Sequence, residues 1–492
     1  MIRHSSALLS NQKRTRIVAT VGPASQDATV IAGMLEAGVN VFRLNASHDS
    51  NPERVSALIK LIREISIAQR RWISIFLDLQ GPKIRMGLFK SGEATVIANA
   101  TYKLISDATK LGDDTQGVVS QIVITDCKVG DPIYIDDGKI KLTVQEKHTD
   151  YLVCKVINGG IIRDRKGVNL PQTYLNESVL TPKDEQDLLI AVRNELDYIA
   201  LSFVQTAADV GILRQALDRH GSTCRIIAKI ERPQAVENMT SIIDVSDAVM
   251  VARGDLGIEI GIDNVPSVQK RIIYECNRRI KPVIVATHML ESLISGYAAT
   301  RAEVSDIANA IYDRCDAVML SAETAVGHDP LHAIGTMRNI CVTTDRNMEL
   351  ATRYRDYHQR FTFDKSKRSV ATSIVKAADQ IAQENDAVAI MTFTSTGQTP
   401  LIASKLNTPF PIISVTDNES TMRRLALYRG VIPLLLSRSF SDIHRWRDMI
   451  ALGIKAAQDK EIIQTGDVLI MIAGIPINHA GGINSIRIQT VI

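Results

Sequence analysis

Residues 225–236 read Arg-Ile-Ile-Ala-Lys-Ile-Glu-Arg-Pro-Gln-Ala-Val, and residues 247–257 read Asp-Ala-Val-Met-Val-Ala-Arg-Gly-Asp-Leu-Gly. Each is a short apolar run that ends in charge. The first ends in Lys229 and Glu231, the second in Arg253, Gly254 and Asp255. In a barrel of parallel strands the active site sits at the strand C-terminal ends. Alternate residues of a strand share a face, so Lys229 and Glu231 point the same way. Two hard carboxylates and an ammonium at one rim suit a magnesium ion holding a phosphorylated substrate.

The same pattern extends outward from this pair. Short β-branched runs occur at 16–21, 39–44, 72–77, 198–203, 225–230, 248–252, 282–286 and 317–320. Amphipathic helical patterns lie between most of them, at 28–37, 53–70, 184–194, 206–219, 265–280 and 302–313, with one more at 331–343. Eight such repeats predict a closed (β/α)8 barrel. The third repeat is interrupted. Residues 88–174 show alternating strands and turn signals without a helical period, which predicts a small all-β lid domain inserted in a barrel loop. From about 346, strand runs at 387–392, 411–415, 431–436 and 466–472 alternate with helices, which predicts a C-terminal α/β open-sheet domain. The expected division is a lead-in at 1–14, the barrel at 15–87 and 175–345, the lid at 88–174 and the C-terminal unit at 346–492.

Composition narrows the function classes. The chain has 492 residues, 45% hydrophobic and 23% charged, as expected of a soluble globular protein of two to four domains. A net charge of +3 is too near neutral for a nucleic-acid or polyanion binder. No apolar run approaches the roughly 18 residues of a membrane helix. The first residues carry basic groups and only a short apolar patch, so they read as a flexible, solvated lead-in rather than a signal peptide. Six cysteines, at 127, 154, 224, 276, 315 and 341, form no Cys-x-x-Cys pair. They read as buried thiols in a reducing cytoplasm, with neither zinc nor a disulfide framework.

At the barrel rim the expected strand ends carry Arg43, Asn45, Ser47 and His48, then Asp78, Lys229 with Glu231, Gly254 with Asp255, Thr287 with His288, and Ser321 with Glu323. Seven segments also resemble the pyruvate kinase family, in order along the chain. They are Val-Phe-Arg-Leu-Asn-Ala-Ser-His (41–48), Leu-Gln-Gly-Pro-Lys-Ile-Arg (79–85), Lys-Gly-Val-Asn-Leu-Pro (166–171), the Lys-Ile-Glu and Val-Ala-Arg-Gly-Asp-Leu-Gly-Ile-Glu runs, Ala-Thr-His-Met-Leu-Glu-Ser (286–292), Thr-Arg-Ala-Glu-Val-Ser-Asp (300–306) and Met-Leu-Ser-Ala-Glu-Thr-Ala (319–325).

That resemblance implies transfer of phosphate from phosphoenolpyruvate to ADP, giving pyruvate and ATP, in a cytoplasmic homotetramer. It implies Mg2+ or Mn2+ on Glu231 and Asp255, with Lys229 and Arg43 bracketing the phosphoryl group. The amides of Gly254 and Asp255 would meet the substrate carboxylate. Thr287 would deliver the proton to the enolate through water held by Ser321 and Glu323. Arg85 and Lys166, with Asn45 and His48, would face the nucleotide. Asp136 and Asp137 would either touch a second magnesium or form a plain hairpin turn.

Several positions depart from the family pattern. Lys83 stands where potassium-dependent members carry Glu. Its ammonium would replace K+ beside a cage of Asn45, Ser47, Asp78 and the Leu79 carbonyl, making K+ dispensable. Ala46 replaces Phe and is expected to leave a packing gap. Asp49 replaces Gly near the nucleotide phosphates, and His288 replaces Gln. Arg232 and Pro233 resemble bacterial members. The loop Thr394-Ser395-Thr396-Gly397-Gln398-Thr399 resembles the effector loop, with Gln398 in place of a basic residue. Thr394, Ser395, Thr396, Gly397 and Thr399 would then cradle a sugar monophosphate or AMP. Two rival readings stay open: a magnesium-dependent barrel lyase acting on a pyruvate enolate, and a non-catalytic metabolite-binding descendant.

Overall fold

The computed structural model describes residues 13–48, 51–354, 362–406, 408–475 and 482–492; Asp49 lies outside them. Eight parallel strands close into a barrel: Arg16–Val21, Val41–Asn45, Ser74–Asp78, Tyr198–Leu201, Arg225–Ile230, Ala248–Ala252, Val283–Ala286 and Ala317–Leu320. Each pairs with its neighbours in sequence order, and the first closes on the eighth, with Arg16 opposite Ala317. Helices cover the outside while side chains fill the inside. The strands are therefore buried on both faces and read as continuous apolar runs rather than alternating ones. Some of the intervening helices start on explicit caps. Thr181 and Asp184 form a capping box, as do Thr300 and Glu303.

The insert departs from its barrel strand after Asp78. It contains a six-stranded sheet and a two-stranded sheet over one apolar core. One helix, Gln121–Asp126, lies within it, where no helix was expected. Six residues are too short to display a helical period. The lid is joined to the barrel by a neck in which Arg85 pairs antiparallel with Gly167.

The C-terminal sheet holds four parallel strands, Ala389–Phe393, Ile412–Thr416, Val431–Leu435 and Val468–Ala473, with an antiparallel fifth, Ser485–Thr490, at its edge. That fifth strand was not anticipated. It alternates polar and apolar residues and lies largely exposed, so no buried run marks it. The boundary expected at 345/346 falls inside a continuous helix, Pro330–Tyr354. Lys13 and Arg14 also differ from the expected solvated lead-in. The Arg14 amide donates to Asp345 at 2.7 Å and its guanidinium to the Thr408 carbonyl at 2.7 Å. Residues 1–12 lie outside the described residues.

The C-terminal unit stoppers one end of the barrel. Leu427 packs into the barrel's inner core with Phe76, Tyr198 and Met250. Arg423 donates to the buried Asp197 at 2.9 Å, and Arg16 donates to the Tyr428 carbonyl at 2.8 Å. Substrates must therefore enter at the other rim, the C-terminal ends of the strands. Among the described residues no helix is long and apolar enough to cross a membrane.

All six cysteines are free and buried. Burial pushes the thiols of Cys154, Cys276 and Cys341 up to about 12. Ellman's reagent at pH 8 is therefore expected to find no fast-reacting thiol in the native protein and all six after denaturation. A fast native thiol would contradict the packing.

Candidate active site

Lys229, on the fifth strand, is the centre of the rim. Its Nζ donates to Ser202 Oγ at 2.7 Å and lies 3.4 Å from Asp78 Oδ1 and 3.3 Å from Glu231 Oε2. Burial opposes its charge, but Asp78, Glu231 and Asp255 outweigh that and raise its pKa, so it stays an ammonium. Arg43 donates through Nε to Asp78 Oδ2 at 2.8 Å and through Nη1 to Thr20 Oγ1 at 3.1 Å. Burial alone would raise the Asp78 pKa, yet Lys229 and Arg43 hold it below the ordinary carboxylate value. Asp78 thus fixes two cations side by side. Register helps: Asn45 lies opposite Asp78 across the second and third strands.

Glu231 differs from Asp78. Its Oε1 accepts the Phe203 amide at 2.7 Å, while its buried Oε2 has no hydrogen-bond partner among the described residues. Burial pushes its pKa up to about 7 against the pull of Lys229, and the Asp255 charge adds to the rise. Asp255 lies in the first turn of the helix Arg253–Ile260, directly after the sixth strand. A buried carboxylate oxygen that the Lys229 ammonium approaches to 3.3 Å, and that feels the charge of a second carboxylate, Asp255, fits a hard divalent cation. Among the described residues no cluster of three or more His, Cys, Asp or Glu forms a metal cage, so substrate and water must complete any coordination sphere.

The seventh strand ends in two residues with left-handed backbone, Thr287 at φ 68° and His288 at φ 52°. Such strain persists only where the surroundings impose it. Arg253 imposes it here, donating to the Thr287 carbonyl at 2.7 Å and the His288 carbonyl at 2.9 Å while paired with Asp306 at 2.6 Å. The bend turns Thr287 Oγ1 inward, where it donates to the Ala286 carbonyl at 2.6 Å and accepts the Gly254 amide at 2.8 Å. The Gly254 amide, expected to be open to a substrate carboxylate, is therefore already engaged. His288 is exposed.

The expected proton relay is also partly occupied. Glu323 is buried, and its two oxygens accept the amides of Leu290 (3.0 Å) and Ser321 (2.7 Å). It braces the seventh and eighth strand ends rather than offering an oxygen to water. Ser321 Oγ is buried and has no hydrogen-bond partner among the described residues.

A cleft of about 1720 Å³ bounded by the lid touches this rim at the sixth and seventh strand ends, with Tyr134 and Gln172 on one side and Asp255, Glu259 and Thr287 on the other, while Lys229, Arg43, Asp78 and Glu231 lie outside its lining. The family models that match are those for the pyruvate kinase barrel domain, over residues 12–334, and the pyruvate kinase alpha/beta domain, over residues 372–489. The chain belongs to the pyruvate kinase family.

The pyruvate kinase of Methylorubrum extorquens is 39% identical over 486 residues, 98% of each chain. That of Geobacillus stearothermophilus is 38% identical over 484 residues, 98% of this chain and 81% of its own. A crystal structure of a pyruvate kinase from Cryptosporidium parvum superposes with a TM-score of 0.91 at 33% identity, covering 99% of this chain and 98% of that one.

The residues expected from pyruvate kinase likeness fall in three places. Arg85 and Lys166 come together on the lid neck. Arg85 donates to the Arg165 carbonyl at 3.3 Å, and Lys166 pairs with Asp136 at 2.7 Å. Asp136 and Asp137 form the left-handed turn of a hairpin. Gly81, at the lid's departure, needs to be glycine: its φ is 67°, and a Cβ there would meet Phe203 at 2.8 Å.

At the expected cage, Asn45 Oδ1 accepts the Ser47 amide at 3.1 Å and the Leu79 carbonyl accepts Ser202 Oγ at 2.8 Å. His48 is exposed beside them. Lys83 is exposed and lies against the neck, its Cε 3.6 Å from where a Cβ on Gly167 would stand. Among the described residues no hydrogen bond or ion pair joins Lys83 to Asn45, Ser47 or Asp78. Ala46 is 1% exposed within the core, and its carbonyl accepts Lys183 Nζ at 2.7 Å.

In the C-terminal unit, Gly397 precedes the helix Gln398–Lys405 with φ 84°. Its amide already donates to Thr394 Oγ1 at 2.9 Å, and the Ser395 carbonyl accepts Thr421 Oγ1 at 2.8 Å. Thr399 is buried, and Thr396 stands between these two anchors.

Sequence reasoning missed Ser202 and Lys183 as site residues, and placed Arg253 at the end of its strand without giving it a role. Ser202 follows the fourth strand directly and was legible as a rim residue. Lys183 sits on a helix distant in sequence, and nothing local marks its reach.

Proposed function

We propose that this rim transfers the phosphoryl group of phosphoenolpyruvate to ADP, giving pyruvate and ATP, with Glu231 and Asp255 holding Mg2+ or Mn2+. The observation that carries the reading is the buried Oε2 of Glu231, which has no hydrogen-bond partner among the described residues and lies 3.3 Å from the Lys229 ammonium. Bound there, a divalent cation would neutralise substrate oxygens and polarise the phosphoryl group. Lys229 and Arg43, both tied to Asp78, stand ready to meet charge building on the transferring oxygens. Their geometry is set before substrate arrives, so little reorganisation is needed in the transition state. Thr287 holds a hydroxyl at the substrate face. Ser321 Oγ, still unpaired, is the better-placed group to hold a proton-relay water, with Glu323 as its brace.

Arg85 and Lys166 reach nucleotide phosphates from the neck, with Asn45 and His48 at the barrel side. The loop at 394–399 takes a sugar monophosphate or AMP, and the assembly is a cytoplasmic homotetramer. A coupled assay tests the main reading. Pyruvate is expected only when phosphoenolpyruvate, ADP and a divalent cation are all present, and turnover without ADP would point to a lyase.

Lys83 makes K+ dispensable in this reading. Activity is expected to be equal in K+ and in a tetraalkylammonium salt. Lys83→Glu is expected to lower kcat about tenfold without K+, with recovery on adding it. Wild-type activity that requires K+ would remove Lys83 from this role.

A further inference from the structure

We propose that Asn169, Glu259 and Arg232 form a clasp through which the lid positions the two cation-side carboxylates, so that lid docking and divalent-cation binding strengthen each other. This rests on the reading of Glu231 and Asp255 as the cation carboxylates.

The clasp is built on the same two segments that carry those carboxylates. Arg232 follows Glu231 directly. Its Nη2 donates to the carbonyls of Leu170 and Thr173, each at 3.1 Å. Gln234 adds a 3.3 Å bond to the Thr173 carbonyl. Glu259 lies one turn beyond Asp255 on the helix Arg253–Ile260, and its Oε1 accepts Asn169 Nδ2 at 2.8 Å. All of these contacts fall on one run, 169–173, where the chain leaves the lid neck for the barrel.

Two observations separate this joint from ordinary packing. Both charges are buried, with Arg232 3% and Glu259 8% exposed. Joining two domains by burying charge is costly compared with apolar contact. In addition, Arg232 Nε and Glu259 Oε2 have no hydrogen-bond partner among the described residues. Buried polar groups are normally satisfied, so these two leave the joint incompletely bonded. A joint of that kind is poised to rearrange, and it is built on segments continuous with Glu231 and Asp255. Coupling between two binding events is reciprocal. If the cation orders run 169–173, contacts of that run must tighten the cation by the same factor.

Asn169 is on the lid side and outside the proposed cation site, which makes Asn169→Ala the direct test. Two quantities are read: the Mn2+ dissociation constant, from water-proton relaxation, and amide hydrogen exchange of residues 166–175 with and without Mn2+. In the wild type, Mn2+ alone is expected to slow exchange in that run. In Asn169→Ala the protection is expected to vanish and Mn2+ to bind about fivefold to tenfold more weakly. Glu259→Ala is expected to match it, Glu259→Gln to retain most of the coupling because it keeps an acceptor for Asn169, and the double alanine variant to be no weaker than either single one.

Wild-type exchange indifferent to Mn2+, unchanged Mn2+ affinity in Asn169→Ala, or fully additive single effects would each overturn the clasp. Mn2+ binding that survives Glu231→Gln undiminished would instead overturn the cation reading beneath it.

Discussion

Lys229→Met is expected to lower kcat about a thousandfold while Mn2+ affinity stays the same or tightens. Lys229 Nζ lies 3.4 Å from Asp78 and 3.3 Å from Glu231, so it balances both carboxylates. Removing it withdraws a fixed positive charge from the transferring phosphoryl group. It also relieves the repulsion that an ammonium exerts on a metal cation at Glu231. Arg43 remains bonded to Asp78 at 2.8 Å and keeps that carboxylate paired, so the fold should survive. The two measurements, single-turnover rate and Mn2+ titration, move in different directions only if Lys229 acts on the reaction rather than on metal binding. A kcat within tenfold of wild type would end its assignment as the transition-state cation.

Glu231→Gln is expected to have the second large effect, with opposite signs for activity and stability. Activity should fall about a thousandfold, because losing one of two cation carboxylates forfeits several kcal/mol of charge stabilisation. The metal-free protein should become more stable at pH 8. Burial pushes the Glu231 pKa up to about 7 from an ordinary value near 4.5. Between those values the folded state binds more protons than the unfolded state, so this group's contribution falls as pH rises from about 4.5 to about 7 and stays low above. The size is on the order of 3 kcal/mol. Glutamine retains an acceptor for the Phe203 amide and carries no charge, so it escapes that loss. Urea denaturation of both metal-free proteins at pH 5 and pH 8 checks the sign: the gap should open at pH 8 and narrow at pH 5. Equal stability at pH 8 would mean that Glu231 is not strained by burial. Mn2+ should then reverse the order, stabilising wild type but not the variant.

The barrel was legible because its strands are buried on both faces. Runs such as Ile226–Ile230 and Ala248–Ala252 can be little else in a chain that alternates them with amphipathic helices. The same property located Lys229, Glu231 and Asp255, since a charge at the end of such a run stands at a rim. The half-exposed strand Ser485–Thr490 and the six-residue helix Gln121–Asp126 lack that signal and were missed. Glu323 was recognised as a site residue but not in its task, because a carboxylate's partners are backbone amides that sequence does not advertise.

What sequence determined by itself, then, is residue chemistry and periodicity: three folding units, the rim, and the charges that converge on it. Tertiary structure alone decided which of those groups are already spoken for. Thr287 covers the Gly254 amide, Asp78 is shared by Arg43 and Lys229, and Glu323 braces two strand ends. It also decided that Lys83 lies against the lid neck and that Asn169 meets Glu259. The physical reason is that strand and helix patterns are local properties of the chain. The free valence of a buried polar group depends on partners brought to it by closure of the barrel and docking of the lid.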